Sequence, residues 1–273
     1  MPLRVLAPAK VNLGLWITGV EEDGYHRITT LFYRIPLYDE ILVDRWHDTE
    51  VKCEGMKSTS DNTVFKALKY LSEYVGKSLC LKITIRKRIP VGAGLGGGSS
   101  DAAAVLDVAN RVFNLGLSLK ELMEIGSRVG ADVPFFLLPE RAAIGRGRGY
   151  DLEPVNLHIP GEWVLVFPGV SVSTRKAYDL FDREGRFTPP DVAERKVMEL
   201  VESLREGDYS RLENDFEKVI LPRFPAVRRA RERLTKYGWK AVMSGSGSTV
   251  FGLGGGKVPI ANGKFKIWYW REG

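Results

Sequence analysis

The sequence predicts an α+β protein of two domains. Three observations carry that expectation. Short β-branched segments and helical periodicities alternate without ever repeating a βαβ unit. Two dense Gly/Ser loops, at residues 92–100 and 243–249, stand far apart in the chain. And 273 residues are enough to bury two ordinary cores.

The elements follow in order. Branched residues over 3–6 and 11–17 predict strands, interrupted at Pro8. Asp23-Gly24 predicts a turn and 28–43 a further strand-rich stretch. Asp61-Asn62 opens a helix whose stripe is Val64, Leu68, Leu71 and Val75, with Gly76 placed to end it. Alternation over 79–85 predicts a strand. Pro90 and the glycine loop follow, then an alanine-rich helix to about Phe113, with Ser99 and Ser100 as caps and Asp101 in its first turn. Ser118 and Glu121 form a capping box for a helix with stripe Leu119, Leu122, Ile125 and Val129, ending at Gly130. The pattern loosens over 145–149 and Pro154 follows. That places the boundary between domains 1–155 and 156–273. The second part predicts a strand at 163–167, helices at 174–182, 191–206, 208–218 and 225–237, and strands at 240–243, 250–253 and 265–270.

Composition excludes several classes. Apolar residues make up 44% and charged residues 27%, an ordinary globular balance. No apolar run reaches the roughly 18–20 residues of a membrane span. The first residues lack the layout of a signal peptide, so the expected location is the cytoplasm. Cys53, Cys80, His26, His47 and His158 show no metal-ligand spacing. A net charge of +6 suits a protein handling nucleotide phosphates or nucleic acid. The positive residues are dispersed, however, with tight clusters only at Arg86-Lys87-Arg88 and Arg228-Arg229.

The segment Pro90, Val91, Gly92, Ala93, Gly94, Leu95, Gly96, Gly97, Gly98, Ser99, Ser100 carries the strongest chemistry. Its glycines allow close backbone approach, and the chain then enters a helix whose first amides attract an anion. The serine hydroxyls can cap the helix or reach a phosphate or its magnesium. Gly92, Gly94 and Gly97 formally satisfy G-x-G-x-x-G, but the βαβ context of a dinucleotide fold is missing. A G-x-x-x-x-G-K-[ST] loop is also missing; Gly254-Gly255-Gly256-Lys257 is followed by Val258. The alternative is a turn whose glycines serve geometry alone. Asp132, between Gly130 and Pro134, reads equally as a turn-forming side chain and as a general base.

Two further segments join the loop: Pro8-Ala9-Lys10-Val11-Asn12-Leu13 and Met243-Ser244-Gly245-Ser246-Gly247-Ser248-Thr249-Val250-Phe251. In order and spacing the three resemble the signature motifs of the GHMP kinase superfamily, over nearly the whole chain. Asp23-Gly24-Tyr25-His26, the extra glycine of the loop, GADVPFF at 130–136 and VSTRKAY at 172–178 narrow the resemblance. They point to the branch acting on a cytidine-diphosphate-linked methylerythritol in non-mevalonate isoprenoid synthesis. The resemblance implies an N-terminal domain of the ribosomal-protein-S5-domain-2-like type and a ferredoxin-like C-terminal domain.

It also implies transfer of phosphate from ATP to the substrate's 2-hydroxyl, with Asp132 as base and Lys10 beside it. Asn62 and Lys87 would lie at the adenine side. Asn12 would touch the erythritol hydroxyls, Tyr25 and Tyr178 would stack on cytosine, and His26 would bond its edge. Tyr33 would line the same channel, and Ser246 and Gly247 would close over the phosphates. Magnesium would travel with ATP, and neither nucleic acid nor membrane is an expected partner. Two other readings stay open: a superfamily kinase of a simpler alcohol such as mevalonate or homoserine, and a silent nucleotide- or nucleic-acid-binding protein.

Overall fold

The computed structural model describes residues 2–55, 62–258 and 265–273. Asp61 and residues 259–264 lie outside them. In chain order the described residues form β1 (Leu3–Val20), β2 (His26–Arg45), β3 (Glu50–Cys53), α1 (Thr63–Val75), β4 (Leu81–Arg86), α2 (Gly97–Val112), α3 (Leu119–Val129), α4 (Val133–Leu137), β5 (Ala142–Arg146) and β6 (Asp151–Val155). There follow β7 (Gly161–Phe167), α5 (Thr174–Glu184), α6 (Pro190–Arg205), β8 (Glu213–Asn214), α7 (Glu217–Arg223), α8 (Pro225–Lys236), β9 (Lys240–Met243), β10 (Val250–Leu253) and β11 (Lys266–Glu272). The class is α+β, as the sequence predicts. No helix among the described residues is long and apolar enough to cross a membrane.

The chain forms two compact units. One comprises Met1–Lys10, Arg34–Val91 and Gly96–Glu140; the other comprises Val11–Tyr33, Gly92–Leu95 and Arg141–Gly273. Strands β1 and β2 and the glycine loop each contribute residues to both, so the units do not divide at one point in the sequence.

In the first unit β4 runs antiparallel to β2, from Glu40 opposite Arg86 to Arg45 opposite Leu81, and β3 lies parallel to β4. Helices α1, α2 and α3 bury their apolar faces in one core with these strands, around Leu68, Leu71, Ile83, Ile85, Leu106 and Ile125. Local chemistry sets the helix ends. The Asn62 side chain accepts from the Val64 amide at 2.9 Å, and Gly76 closes α1 in the left-handed region at φ 65°. Both arms of the Ser118/Glu121 capping box are present on α3. Pro8 does not interrupt β1. The only strand on β1's other side, β8, pairs at Gly14 and Leu15 alone among the described residues, and a proline is tolerated on an unpaired strand edge.

In the second unit β5 pairs with β2 and turns back into β6, which accounts for the loosened pattern near Gly147 and Gly149. Those glycines take φ values of 60° and 99° to make the turn. A separate antiparallel sheet has the order β11-β7-β10-β9. Phe181 of α5, Phe216 at the N-cap of α7 and Leu234 of α8 pack into a core with Val164, Val166 and Val250 of that sheet. The helix expected over 208–218 does not form. Asp208 binds the Ser210 amide and hydroxyl, and Asn214 binds the Phe216 amide and the Met243 and Gly245 carbonyls. These side chains compete with the helical backbone and leave a turn, the short β8 and α7.

Leu68 is 2% exposed in the first core. Leu68→Ala is expected to lower the unfolding free energy by about 2–5 kcal/mol, read from urea denaturation.

Candidate active site

In the first unit the chain passes from β4 through Lys87, Arg88 and Ile89 toward α2. Gly96 caps that helix at φ 69°, and no side chain bonds its first amides. Those amides have no partner within the helix, which makes this end a site for an anion. Ser99 and Ser100 are therefore not caps but lie inside the helix, which starts earlier than the sequence suggests. Ser100 is buried and its hydroxyl has no hydrogen-bond partner.

Glycine is required at 96 for space as well as φ. A Cβ there would stand 2.9 Å from the Phe136 ring and 3.0 Å from Cγ of Lys10. The stem of Lys10 thus lies against the helix start. Its ammonium, 5% exposed, stands 3.2 Å from Oδ2 of Asp132, whose side chain is 30% exposed. Lys10 and Asp132 thus form an ion pair whose carboxylate reaches the surface. Asp132 occupies the N-cap position of α4 yet makes no cap bond, so the turn does not consume its oxygens. Pro134 stiffens the start of α4. Arg34, which sequence reasoning missed, donates to the carbonyls of Phe135 at 2.8 Å and of Leu138 at the helix's other end.

Asn62 and Lys87 are not free for a nucleotide in the way the sequence suggests. The Asn62 side-chain oxygen is spent on the α1 cap. Lys87 bonds Asp39 and Asp101, the latter at 2.8 Å, and Asp39 also accepts from the Arg88 and Ile89 amides. Burial opposes charge on Lys87, but Asp101 and Asp39 hold its ammonium above the ordinary range. Burial pushes the Asp101 carboxyl up to about 7, with Lys87 opposing and Asp39 reinforcing the rise. Asp101 is thus not a helix-dipole acid in the first turn but half of a carboxylate pair sharing one lysine. A Cβ on Gly97 would stand 3.2 Å from the Lys87 ammonium, so this cluster lies directly behind the loop.

In the second unit, Gly92–Leu95 of the loop meets the 243–249 segment. The Ser244 hydroxyl donates to the Gly94 carbonyl at 2.9 Å, and the Thr249 amide donates to Ala93 at 3.2 Å. Ser246 Oγ lies 3.1 Å from Thr174 Oγ1 at the start of α5, and the Val172 amide donates to Gly92 at 3.3 Å. Gly247, at φ 88°, completes the turn. Asn12 is 1% exposed; its amide donates to Thr30 Oγ1 at 2.8 Å, and its Oδ1 lies near Gly245.

Tyr25 is 57% exposed, with the Arg148 guanidinium 4.3 Å from its ring centroid. Arg148 bonds Glu21 at 2.6 Å and also Asp23, and these bonds raise its pKa further. The turn that presents Tyr25 is thereby pinned from behind by the 145–150 segment, to which the sequence assigned no role. His26 stacks on Tyr178 with ring centroids 4.0 Å apart and planes 19° apart. Its Nε2 lies 2.6 Å from Oδ1 of Asp182, a residue the sequence reading missed although it stands one helical turn after Tyr178. Tyr33 does not join this cluster. It is fully buried against Trp163, and its hydroxyl accepts from the Ile159 amide and donates to Glu272. Burial pushes its pKa up to about 12.

The first unit carries an open helix start with a Lys–Asp pair beside it, and the second a Ser/Gly segment seated on Gly92–Leu95, features that accompany the fold of a small-molecule kinase of the GHMP class. The GHMP kinases N terminal domain matches residues 62–140 and the GHMP kinases C terminal domain matches residues 195–261. A 4-diphosphocytidyl-2-C-methyl-D-erythritol kinase of Persephonella marina is 39% identical over 258 residues, covering 92% of each chain. One of Chlorobium phaeobacteroides is 43% identical over 257 residues, covering 92% of this chain and 88% of its own. A crystal structure of 4-(cytidine 5'-diphospho)-2C-methyl-D-erythritol kinase superposes with a TM-score of 0.78 at 37% identity, covering 93% of this chain and 91% of that one. The homoserine kinase of Cytophaga hutchinsonii shares the fold, with a TM-score of 0.73 at 18% identity over 99% of this chain and 95% of its own. The chain belongs to the 4-diphosphocytidyl-2-C-methyl-D-erythritol kinase family.

Two predictions follow from the loop and its backing. A carboxyl whose folded pKa lies above its unfolded 3.8 stabilises the fold at low pH and loses that contribution as pH rises. The stability of the protein relative to Asp101→Asn should therefore fall between pH 4 and about 7 and level off above, as read by denaturant midpoints across pH. Gly94, at φ 76°, faces the Ser244 and Gly247 carbonyls with no room for a Cβ. Gly94→Ala should cost about 2–3 kcal/mol of stability, seen as a lowered melting temperature.

Proposed function

We propose that this chain transfers the γ-phosphoryl group of ATP to the 2-hydroxyl of 4-diphosphocytidyl-2-C-methyl-D-erythritol, releasing ADP, in the cytoplasm. The observation that carries the reading is the Lys10–Asp132 pair, 3.2 Å apart, set against the Gly96 start of α2. Phosphoryl transfer demands alignment and charge neutralisation more than covalent help from the protein.

Asp132 takes the proton of the attacking hydroxyl. Lys10, paired with Asp132, offsets charge that builds on the transferred group. The loop from Pro90 to Ser100, with the open amides of α2, holds the ATP phosphates, and Ser246 and Gly247 belong to the segment seated on that loop. Magnesium bound with ATP would neutralise part of the phosphate charge. The unpartnered Ser100 hydroxyl sits in the helix that would receive the phosphates. Tyr25 and Tyr178 offer faces for cytosine, His26 offers its edge contact, and Asn12 serves the erythritol hydroxyls.

ADP release with magnesium-ATP and the cytidine-linked substrate tests the reading. Asp132→Asn should lower kcat by roughly 10²–10⁴ with the fold intact. Turnover of mevalonate or homoserine instead would discard the substrate and keep the class. Silence with all three would discard the kinase.

A further inference from the structure

Tyr178 and Asp182 are four residues apart on α5 and so lie on one face of that helix. Both meet the same imidazole. Tyr178 covers the face of His26, with planes 19° apart, and Asp182 takes its edge at Nε2, 2.6 Å away. The first contact fixes the plane of the ring and the second fixes its rotation within that plane. The imidazole itself is only 8% exposed. Its remaining nitrogen, Nδ1, makes no hydrogen bond among the described residues.

Neutral imidazole carries one N–H and one lone pair, and the bond made by one nitrogen decides what the other can do. A carboxylate accepts only. With Nε2–H donated to Asp182, Nδ1 is left as an acceptor. A cytosine edge presents an exocyclic amine, which donates; a uracil edge presents a carbonyl oxygen at the same position, which would face the lone pair. We propose that Asp182 is a specificity-determining positioning residue: by locking the tautomer of His26 it makes the site accept a cytidine and reject a uridine nucleotide. This rests on the reading of His26 as the contact to the base in the proposed function. A polar site left unpaired against the wrong base is a stronger discriminator than a poorly filled apolar one.

The test is calorimetric titration of the full chain with cytidine 5'-diphosphate and with uridine 5'-diphosphate, for wild type, Asp182→Ala and Asp182→Asn. Melting temperatures of all three are recorded, so that if the alanine variant fails to fold the near-isosteric asparagine carries the test. The expected result is that wild type prefers the cytidine ligand and that removing the carboxylate shrinks the ratio of the two affinities about tenfold or more. The shrinkage comes in part from tighter uridine binding, which a merely structural role would not produce. Turnover of the cytidine-linked substrate should show a raised KM with kcat little changed. Equal weakening toward both ligands, with the ratio preserved, overturns the role of Asp182. A wild type that turns over the cytidine-linked substrate but binds both diphosphates alike also overturns it, leaving the proposed reaction standing. A wild type without turnover that still prefers cytidine, with the preference lost in the variants, overturns the reaction and keeps the role of Asp182.

Discussion

The backbone contact at Gly94 is the constraint on which the loop depends. There a main chain lies against another main chain with no side chain between them. The Ser244 hydroxyl bonds the Gly94 carbonyl, Thr249 bonds Ala93, and Asn214 holds the Met243 and Gly245 carbonyls from the other side. Each bond satisfies a buried polar group that would otherwise cost about 1–3 kcal/mol. Gly94 and Gly245 follow from this approach, because a Cβ on either would crowd a carbonyl of the facing segment.

Charge in the first unit is arranged in two layers. Behind the loop, one lysine serves two buried carboxylates, Asp39 and Asp101, and its ammonium is tied down. Beside the loop, one lysine serves one carboxylate that reaches solvent. The first arrangement has more negative than positive charge in a low-dielectric place, so one carboxyl keeps a proton well above the usual range. The second is balanced, and its carboxylate reaches solvent. Two lysines that look alike in the sequence are separated by what stands opposite them.

Much of this was legible from the chain. Apolar spacing and caps located α1 and α3 because those signals act within a few residues: Asn62 and Gly76, Ser118 and Glu121. The placement of Lys10 beside Asp132 was legible through their motifs. What was lost depends on partners far away in sequence. Lys87 looked like a free strand lysine until Asp39 and Asp101 were folded around it, and Tyr33 looked like a lining residue until Trp163 and Glu272 enclosed it. The 208–218 segment has helical periodicity, yet Asn214 is recruited by carbonyls some thirty residues later. Asp182 was hidden for the same reason, since only the fold brings it to a residue 156 positions earlier.

Helix α5 begins where Val172 and Thr174 bond the glycine loop and Ser246. It then carries Tyr178 and Asp182 to His26. At about 1.5 Å of rise per residue, Thr174 and Asp182 stand roughly 12 Å apart along its axis. One rigid rod therefore acts as a ruler, with a hydroxyl at the 243–249 segment as its zero mark and a ring-and-carboxylate pair as its far graduation. Length and angular phase are coupled in such a rod: one residue inserted between the marks would lengthen the interval only slightly but swing Tyr178 and Asp182 through about 100°. A side chain at either mark can be exchanged without moving the other, whereas a change in the number of residues between them turns one mark away from the other.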